Sequence, residues 1–468
     1  MIESLKSVFE IADLRKRIGF TLMLLAVYRL GSFIPTPGIN ATVFQQYFNQ
    51  MGGTLFGLLS MFSGGSLNRL TVFALGIMPY ITASIILQLL TVVSPTLEKL
   101  SKEGQLGQKK ITEYTRWLTV GLSVFQSFGI AVALQRQTSL GIPMVTHPGP
   151  SFIFSTVLTL TAGSVFIMWL GEQITSRGIG NGMSLLIFAG IVVGLPAAAQ
   201  NLYSNVFVTR IWSPLVLLVL LTFMLAIVAF IVFFERGERR IPIQYAKRIV
   251  GRRIMGGVST HLPLKVNSGG VMPIIFAVSL LTFPQTIGLF WKGGLFGKLV
   301  NGFLSLFAWG EPLYTLTYIL LIMFFAHFYL SIIYNPDEVA DNVRKQGGFI
   351  PGIRPGKRTA DYLDDVLTKI TWVGGAYLAL VALIPETMLA GLRLNHLPVW
   401  LGGAWFDAHL PTWLLHGLNV HFFFGGTSLL IVVQVAMDTI QQVESQLIMR
   451  HYEGFMKKGR VRGRRAAS

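Results

Sequence analysis

Apolar residues in this chain are gathered into runs of about 20, the length a helix needs to cross a hydrocarbon core roughly 30 Å thick. Ten runs can be read, over residues 18–35, 71–93, 117–135, 152–173, 182–200, 213–234, 271–291, 313–334, 370–390 and 422–443. In lipid no water is present to satisfy backbone N–H and C=O groups, so only helices and closed barrels can span. A barrel would show alternating segments about half this length. The expected fold is therefore an all-α integral membrane protein with ten transmembrane helices. Of the 468 residues, 52% are hydrophobic and 13% charged, more apolar surface than a soluble fold could hide. The polar, amphipathic stretch over residues 1–17 is not expected to be a cleavable signal peptide, because the apolar run after it continues to Ile34.

Charge orients the spans. With both termini on one side, that side holds 31 of the 38 Lys and Arg, the opposite loops hold 6, and Arg29 lies within the first span. Excess Lys and Arg mark the cytoplasmic side, so both termini are expected there, in a bacterial plasma (inner) membrane. The net charge of +17 is thus first a topological signal. Two cytoplasmic loops are unusually long. Residues 235–270 carry Arg236, Arg239, Arg240, Lys247, Arg248, Arg252, Arg253 and Lys265, and residues 335–369 carry Arg344, Lys345, Arg354, Lys357, Arg358 and Lys369. Such charge attracts anionic lipid headgroups, and loops of this size also suit docking of a large acidic or RNA-containing partner.

Several chemistries are excluded. The chain has no cysteine, hence no disulfide, thiol catalysis or Cys-ligated metal. Pro351-Gly-Ile-Arg-Pro-Gly-Lys-Arg-Thr359 evokes a phosphate loop, but Pro351 stands where the first Gly is needed and Arg358 follows the Lys. No cofactor and no ATPase of the chain's own are expected, so driving energy must come from a partner or a gradient.

An internal repeat points to a central axis. Gly76-Ile-Met-Pro-Tyr-Ile81-Thr-Ala-Ser-Ile85 in the second span matches Gly270-Val-Met-Pro-Ile-Ile275-Phe-Ala-Val-Ser279 in the seventh. Gly182-Met-Ser-Leu-Leu-Ile187 in the fifth matches Gly426-Thr-Ser-Leu-Leu-Ile431 in the tenth. A five-plus-five duplication predicts both correspondences, with two pseudo-symmetric halves, 1–212 and 213–468, and with paired spans facing one another across the axis. The matched residues Ile81, Ile187, Ile275 and Ile431, with Ile85 and Ile191 one turn along their spans, make the expected centre aliphatic.

An aliphatic centre weighs between function classes. A secondary transporter or flippase, the alternative reading, needs polar or ionisable groups at the midplane. Arg29, Glu172, Glu386 and Asp438 lie near span ends, and His327, mid-span in the eighth, is the best such residue. An ion channel would need a charged or carbonyl-lined filter. A narrow aliphatic ring instead excludes water and ions by dewetting and can deform around a passing chain.

At this point longer strings resemble a family. Leu55-Phe-Gly-Leu-Leu-Ser-Met-Phe-Ser-Gly-Gly-Ser-Leu-Asn-Arg-Leu70, running into Phe73-Ala-Leu-Gly-Ile-Met-Pro-Tyr-Ile81, is similar to the plug and second span of the SecY/Sec61-alpha family. Arg177-Gly-Ile-Gly-Asn-Gly182, Ser259-Thr-His-Leu-Pro-Leu-Lys-Val-Asn267, Pro351-Gly-Ile-Arg-Pro-Gly356 and Phe424-Gly-Gly-Thr-Ser428 extend the match in the family's order. The resemblance implies a channel that threads unfolded preproteins across the membrane and opens sideways to release signal sequences and membrane segments into lipid. It implies the small subunits SecE and SecG, the SecA ATPase, and the ribosome, through rRNA and proteins at its exit site. It also implies a pore ring of Ile81, Ile85, Ile187, Ile191, Ile275 and Ile431. The plug falls on about 56–67, with Phe56, Leu59, Phe62, Gly64, Gly65 and Leu67, its two adjacent glycines offering freedom to swing away. The lateral gate lies between spans 2–3 and 7–8, with Ile86 and Phe283 at its facing edges. Arg354 matches the arginine that couples to SecA, and Arg252, Arg253, Lys357 and Arg358 match basic tips that meet the ribosome.

Three features depart from the family pattern. The loop 391–421 is long and carries Trp400, Trp405 and Trp413, which suit an interfacial helix. Gln434 stands in the tenth span where an aliphatic residue is usual. The basic tail 457–465 is expected to be disordered and anion-seeking.

Overall fold

The computed structural model describes residues 11–50, 60, 63–135, 138–139, 142–209, 213–245, 248–250, 253–255, 259–288, 302, 307, 310–389, 391, 393, 409, 411, 415 and 426–458. Helices dominate. They are α1 (Ala12–Gly31), α2 (Ala41–Gln50), α3 (Met78–Val93), α4 (Pro95–Lys102), α5 (Gln105–Gln135), α6 (Pro150–Arg177), α7 (Gly182–Tyr203), α8 (Pro214–Glu235), α9 (Met272–Gly288), α10 (Pro312–Ile333), α11 (Pro336–Lys345), α12 (Lys357–Leu389) and α13 (Gly426–Lys458). Proline opens α4, α6, α8, α10 and α11 at the position where its missing N–H costs nothing.

Each expected span contains one helix. Six stretches (α5, α6, α7 with its π-helical end, α8, α10 running into α11, and most of α12) are long and apolar enough to cross a membrane, and α3 with α4 makes a seventh if that pair is one span bent by 101°. The apolar part of α9, Met272–Thr282, is shorter. Helix ends depart from the expected boundaries: α12 starts at Lys357 rather than 370, and α13 runs to Lys458 rather than 443. Hydropathy reports where a helix lies in lipid, whereas the polar extension of α12 is held by packing of Leu363, Val366 and Leu367.

That packing is against strands, which composition did not reveal. The basic loop 235–270 is not irregular. Strand β3 (Glu238–Tyr245) lies between β6 (Ser259–Lys265) and β7 (Gly348–Phe349), antiparallel to both, with Glu238 opposite Lys265 and Gln244 opposite Phe349. Near the hairpin tip, β4 (Arg248–Val250) pairs with β5 (Arg253–Met255), while β1 (Thr138–Ser139) and β2 (Ile142–Pro143) form a separate small hairpin. Along β3 the buried Ile241 and Ile243 alternate with exposed Arg240, Pro242 and Gln244, the pattern of a sheet with one wet face. Ile241 and Leu264 join Leu330, Ile350 and the α12 residues in one core. The sheet is therefore a platform packed on the end of α10 and the start of α12.

Within the helical body α5 packs on α3 and α6, α10 on α9 and α12, α13 on α7, α8 and α12, and α3 on α9. Outward faces stay apolar: only 17% of the apolar window of α8 is buried, with Leu215, Leu225 and Phe233 exposed, as lipid requires and water would not allow.

The repeat has a local structural counterpart. Gly76 and Gly270 both take positive φ, 57° and 62°, and in both cases an α-helix starts two residues later at a Met-Pro pair. α7 and α13 both start at the matched glycines, Gly182 and Gly426. A residue with a Cβ pays about 1–2 kcal/mol in this left-handed region. Gly76→Ala and Gly270→Ala are each expected to lower stability by about that much, read as thermal unfolding in detergent. Gly270→Ala should cost more, since its Cβ would meet the Gln434 amide, and Gln434→Ala in the same chain should recover the excess.

Candidate functional site

Six isoleucines from four helices meet in the largest apolar cluster. Ile81 and Ile85 come from α3, Ile187 and Ile191 from α7, Ile275 from α9 and Ile431 from α13, and none is more than 6% exposed. Helical spacing puts each pair on one face of its helix. The cluster thus joins the segments that the repeat pairs: α3 with α9, and α7 with α13.

Two cavities touch this cluster along α7. One, of about 540 Å³, touches the start of α7 at Asn181, Met183, Ser184 and Ile187, and also reaches Ile81 and Ile275. Its far wall is polar, with Ser84, Gln88, Arg116, Glu172 and Gln173. The other, of about 200 Å³, touches α7 further along at Gly190, Ile191, Gly194 and Ala197. Both cavities have mixed polar and apolar walls, and isoleucines of the cluster line each of them: Ile81, Ile187 and Ile275 the first, Ile191 the second.

The second cavity is also lined by Ser60, Gly64 and Gly65, from the segment expected to be the plug, and by the adjoining Asn68; Phe56, Leu59 and Phe62 lie outside the described residues. Residues 63–70 form a run of turns, with Gly64 and Gly65 at φ 66° and 78°. Gly64 packs on the backbone of Gly190 so closely that a Cβ would come within 3.0 Å of its Cα. From α1, Tyr28 Oη donates to Ser63 O at 3.3 Å and Arg29 Nη1 to Gly64 O at 3.3 Å. The Arg29 guanidinium also stacks on Phe33, 4.4 Å from the ring centre. Ser60, Ser63, Ser66 and Leu67 are buried. Arg29 thus holds a chain segment while also lining the second cavity.

Two other ionisable residues of the spans are also engaged. Glu172 on α6 accepts two hydrogen bonds from Arg116 on α5, at 2.8 and 2.9 Å. The Nδ1 of His327 is 2.9 Å from Met323 O on its own helix, and the ring stands edge-on to Trp372 of α12 at 4.8 Å. Asp438 is exposed, and the Glu386 side chain lies outside the described residues. Gln434 is buried with its amide nitrogen against Gly270, which explains why a residue of that size is accommodated there.

Of the two gate residues, Ile86 is half-buried on α3; Phe283 lies in α9 with its side chain outside the described residues. The helices that carry them, α3 and α9, pack directly together.

The basic residues sit on the sheet platform and its neighbours. Arg253 begins β5 opposite Val250, one residue from the hairpin turn; its side chain and all of Arg252 lie outside the described residues. Arg354 is exposed at the tip of the turn Pro351–Gly356, whose ends are tied down: Ile350 is buried in the sheet core, Ile353 packs against it, and Thr359 Oγ1 donates to Arg354 O at 3.0 Å. Lys357 and Arg358 are exposed on the first turn of α12. Among the described residues no group of three or more His, Asp or Glu is placed to hold a metal. The Trp-containing loop 391–421 lies almost wholly outside the described residues, as does the tail beyond Lys458.

Apolar helices enclosing two cavities and an aliphatic layer, with a rigid polar platform at one end, define a multi-pass membrane protein. The profile of the SecY family matches residues 71–440, and the chain belongs to the SecY family. It is 46% identical over 453 residues to protein translocase subunit SecY of Escherichia coli strain K12, covering 97% of this chain and 96% of that one. The fold aligns with a SecY structure bearing on how the plug domain stabilises the closed translocation channel and maintains a membrane seal, at TM-score 0.57, 18% identity and 92% coverage of both chains. It aligns also with Sec61 in a canine ribosome–channel complex, at TM-score 0.54, 16% identity and 92% coverage of both chains.

Sequence reasoning missed the side chains that hold the plug segment. The Tyr28-Arg29 pair could have been suspected, since an arginine inside a span needs a partner, but nothing in the sequence says that the partners are carbonyls 35 residues away. Tyr28→Phe removes one of the two bonds. A net hydrogen bond is worth about 1 kcal/mol, so amide exchange over residues 63–67 is expected to quicken about fivefold, measured by hydrogen–deuterium exchange with mass spectrometry.

Proposed function

We propose that the chain is the central subunit of a protein-conducting channel that passes unfolded secretory proteins across the bacterial plasma membrane and releases signal sequences and membrane segments sideways into lipid. The observation that carries this reading is the buried aliphatic cluster of Ile81, Ile85, Ile187, Ile191, Ile275 and Ile431, which borders one cavity at the start of α7 and another further along it. A solute transporter would put polar groups at that layer; an aliphatic ring seals against ions and yields to a polypeptide. The segment about 56–67 is the plug that closes one cavity from the far side.

The halves 1–212 and 213–468 are the two shells of the clamp, with the gate between α3 and α9 and Ile86 and Phe283 on its edges. At an open gate the lipid sorts each segment. A Leu or Ile gains about 0.3–0.6 kcal/mol at the bilayer centre and a charged residue loses about 2.5–3.5 kcal/mol. A signal core of about ten apolar residues therefore moves outward, and a hydrophilic segment passes through.

Both termini and the basic platform face the cytoplasm, by the distribution of Lys and Arg. The channel has no motor of its own and is driven by SecA or by a translating ribosome, with SecE and SecG as small membrane subunits and anionic lipids around the basic rim. Arg252, Arg253, Lys357 and Arg358 meet the ribosome, a partner supported by the Sec61 complex that shares the fold. Arg354, raised on a tied-down turn, couples to SecA.

Two outcomes test the reading. Purified and reconstituted with no substrate, the chain with any three ring isoleucines replaced by serine should conduct small ions, whereas a single serine or Ile→Leu changes should leave the bilayer tight. Unchanged resting conductance in the triple-serine chain would put the seal elsewhere. Arg354→Glu should abolish SecA-driven preprotein uptake into vesicles at normal assembly, and Arg253→Glu should weaken ribosome binding whose affinity falls steeply with salt. Normal uptake by the first, or salt-insensitive binding, contradicts these assignments.

A further inference from the structure

Arg177-Gly-Ile-Gly-Asn-Gly182 joins α6 to α7. A glycine-rich run into a helix start is elsewhere a cradle for an anion, because its N–H groups lack intrahelical partners. Here side chains take those donors. Ile179 N–H donates to Thr21 Oγ1 at 3.1 Å, Gly180 N–H to Gln442 Oε1 at 3.0 Å, Gly182 N–H to Thr175 Oγ1 at 2.9 Å and Met183 N–H to Asn181 Oδ1 at 3.1 Å. The acceptors come from α1, α13, α6 and the turn itself. Gly182 lies against the Gly171 carbonyl and Gly178 against Thr21 Oγ1 and Ile174 O, with no room for a Cβ at either. Leu14 of α1 and Ile179 of the turn are buried together, with Val443 and Leu447 of α13 packed on them. On α13 the residue beside Gln442 reaches the other way: Gln441 Oε1 accepts from Lys265 Nζ of β6 at 2.9 Å.

We propose that this turn is a socket through which α1 and α13 set the position of α7, so that Thr21 and Gln442 are positioning residues for the isoleucine layer. The inference rests on the channel reading above. Ile187 and Ile191 lie roughly 8 and 14 Å along the axis from Gly182 at 1.5 Å per residue, and continuous helix carries a shift of the helix start to both. Gln441 and Gln442 are neighbours, one tied to the base of the basic hairpin and the other to the turn. A load on the hairpin therefore reaches α7 through one turn of α13, across the boundary between the two halves.

Thr21 is buried, and Thr21→Val keeps its shape while leaving the Ile179 N–H without an acceptor. Resting ion conductance of the reconstituted full chain is expected to rise about tenfold in Thr21→Val, and about threefold in Gln442→Leu, where the lost bond is exposed. Thr21→Ser and Gln442→Glu retain an acceptor oxygen and should stay at the unsubstituted level. If Thr21→Val does not assemble, the Gln442 pair decides, because that side chain is exposed. Conductance unchanged in Thr21→Val and Gln442→Leu, where triple-serine ring chains leak, overturns the socket. So does a leak shared by Thr21→Ser and Gln442→Glu, which would assign the effect to packing. A triple-serine ring that stays tight tells instead against the channel reading.

Discussion

A backbone polar group in hydrocarbon has no water to turn to, and the rest of the structure follows from how this chain meets that demand. Most of it is met by helices. Two segments that join or border spans are not helical, and each is satisfied by other means. Over residues 63–72, Gly65 N–H donates to Ser60 O, Thr71 N–H to Ser66 O and Val72 N–H to Ile34 O, while Tyr28 and Arg29 donate to the carbonyls of Ser63 and Gly64. Over residues 179–183 the donors go to Thr21, Gln442, Thr175 and Asn181. Irregular backbone is accommodated there because neighbouring side chains and backbone take up its polar groups.

The same demand explains how a conduit can be shut without being rigid. Helices cannot be deformed cheaply, since each lost bond in lipid stays lost. Side chains at a helix surface can move, and a layer of isoleucines has no polar partner to forfeit when it opens. The held segments are different: the turns over residues 63–70 and the 177–182 turn keep their places by a few hydrogen bonds each of about 1 kcal/mol. Bonds of that size suit parts that hold at rest and can be released.

Outside the membrane the problem reverses, because charged chain must be organised without the constraint of lipid. The antiparallel pairing of β3 with β6 and β7, on a core of Ile241, Leu264, Ile350, Leu363 and Val366, turns two long basic loops into one platform. Arg354 is then an exposed side chain on a turn pinned by Ile350, Ile353 and Thr359. A docking partner can transmit force through such a platform, and could not through a flexible loop.

Sequence alone determined that the chain is an apolar, helical, multi-pass membrane protein, because lipid imposes length and composition residue by residue, with no tertiary contact needed. It also singled out the isoleucines, since the repeat of Gly76–Ile85 at Gly270–Ser279 preserves register, and the register carries Ile81 onto Ile275. Helix ends were misjudged at 357 and 458 because polar helix outside lipid depends on packing that hydropathy does not report. The sheet was missed because the alternation in Arg240-Ile-Pro-Ile-Gln244 is only five residues long and is interrupted by proline. Tertiary structure alone decided that Arg29 binds the Gly64 carbonyl, that Glu172 pairs with Arg116, that Gln434 lies on Gly270 and that Gln442 caps a turn from the other end of the chain. These contacts join residues tens to hundreds of positions apart. Sequence patterns record periodicity within an element, and the meeting of distant polar side chains is set only when the elements pack.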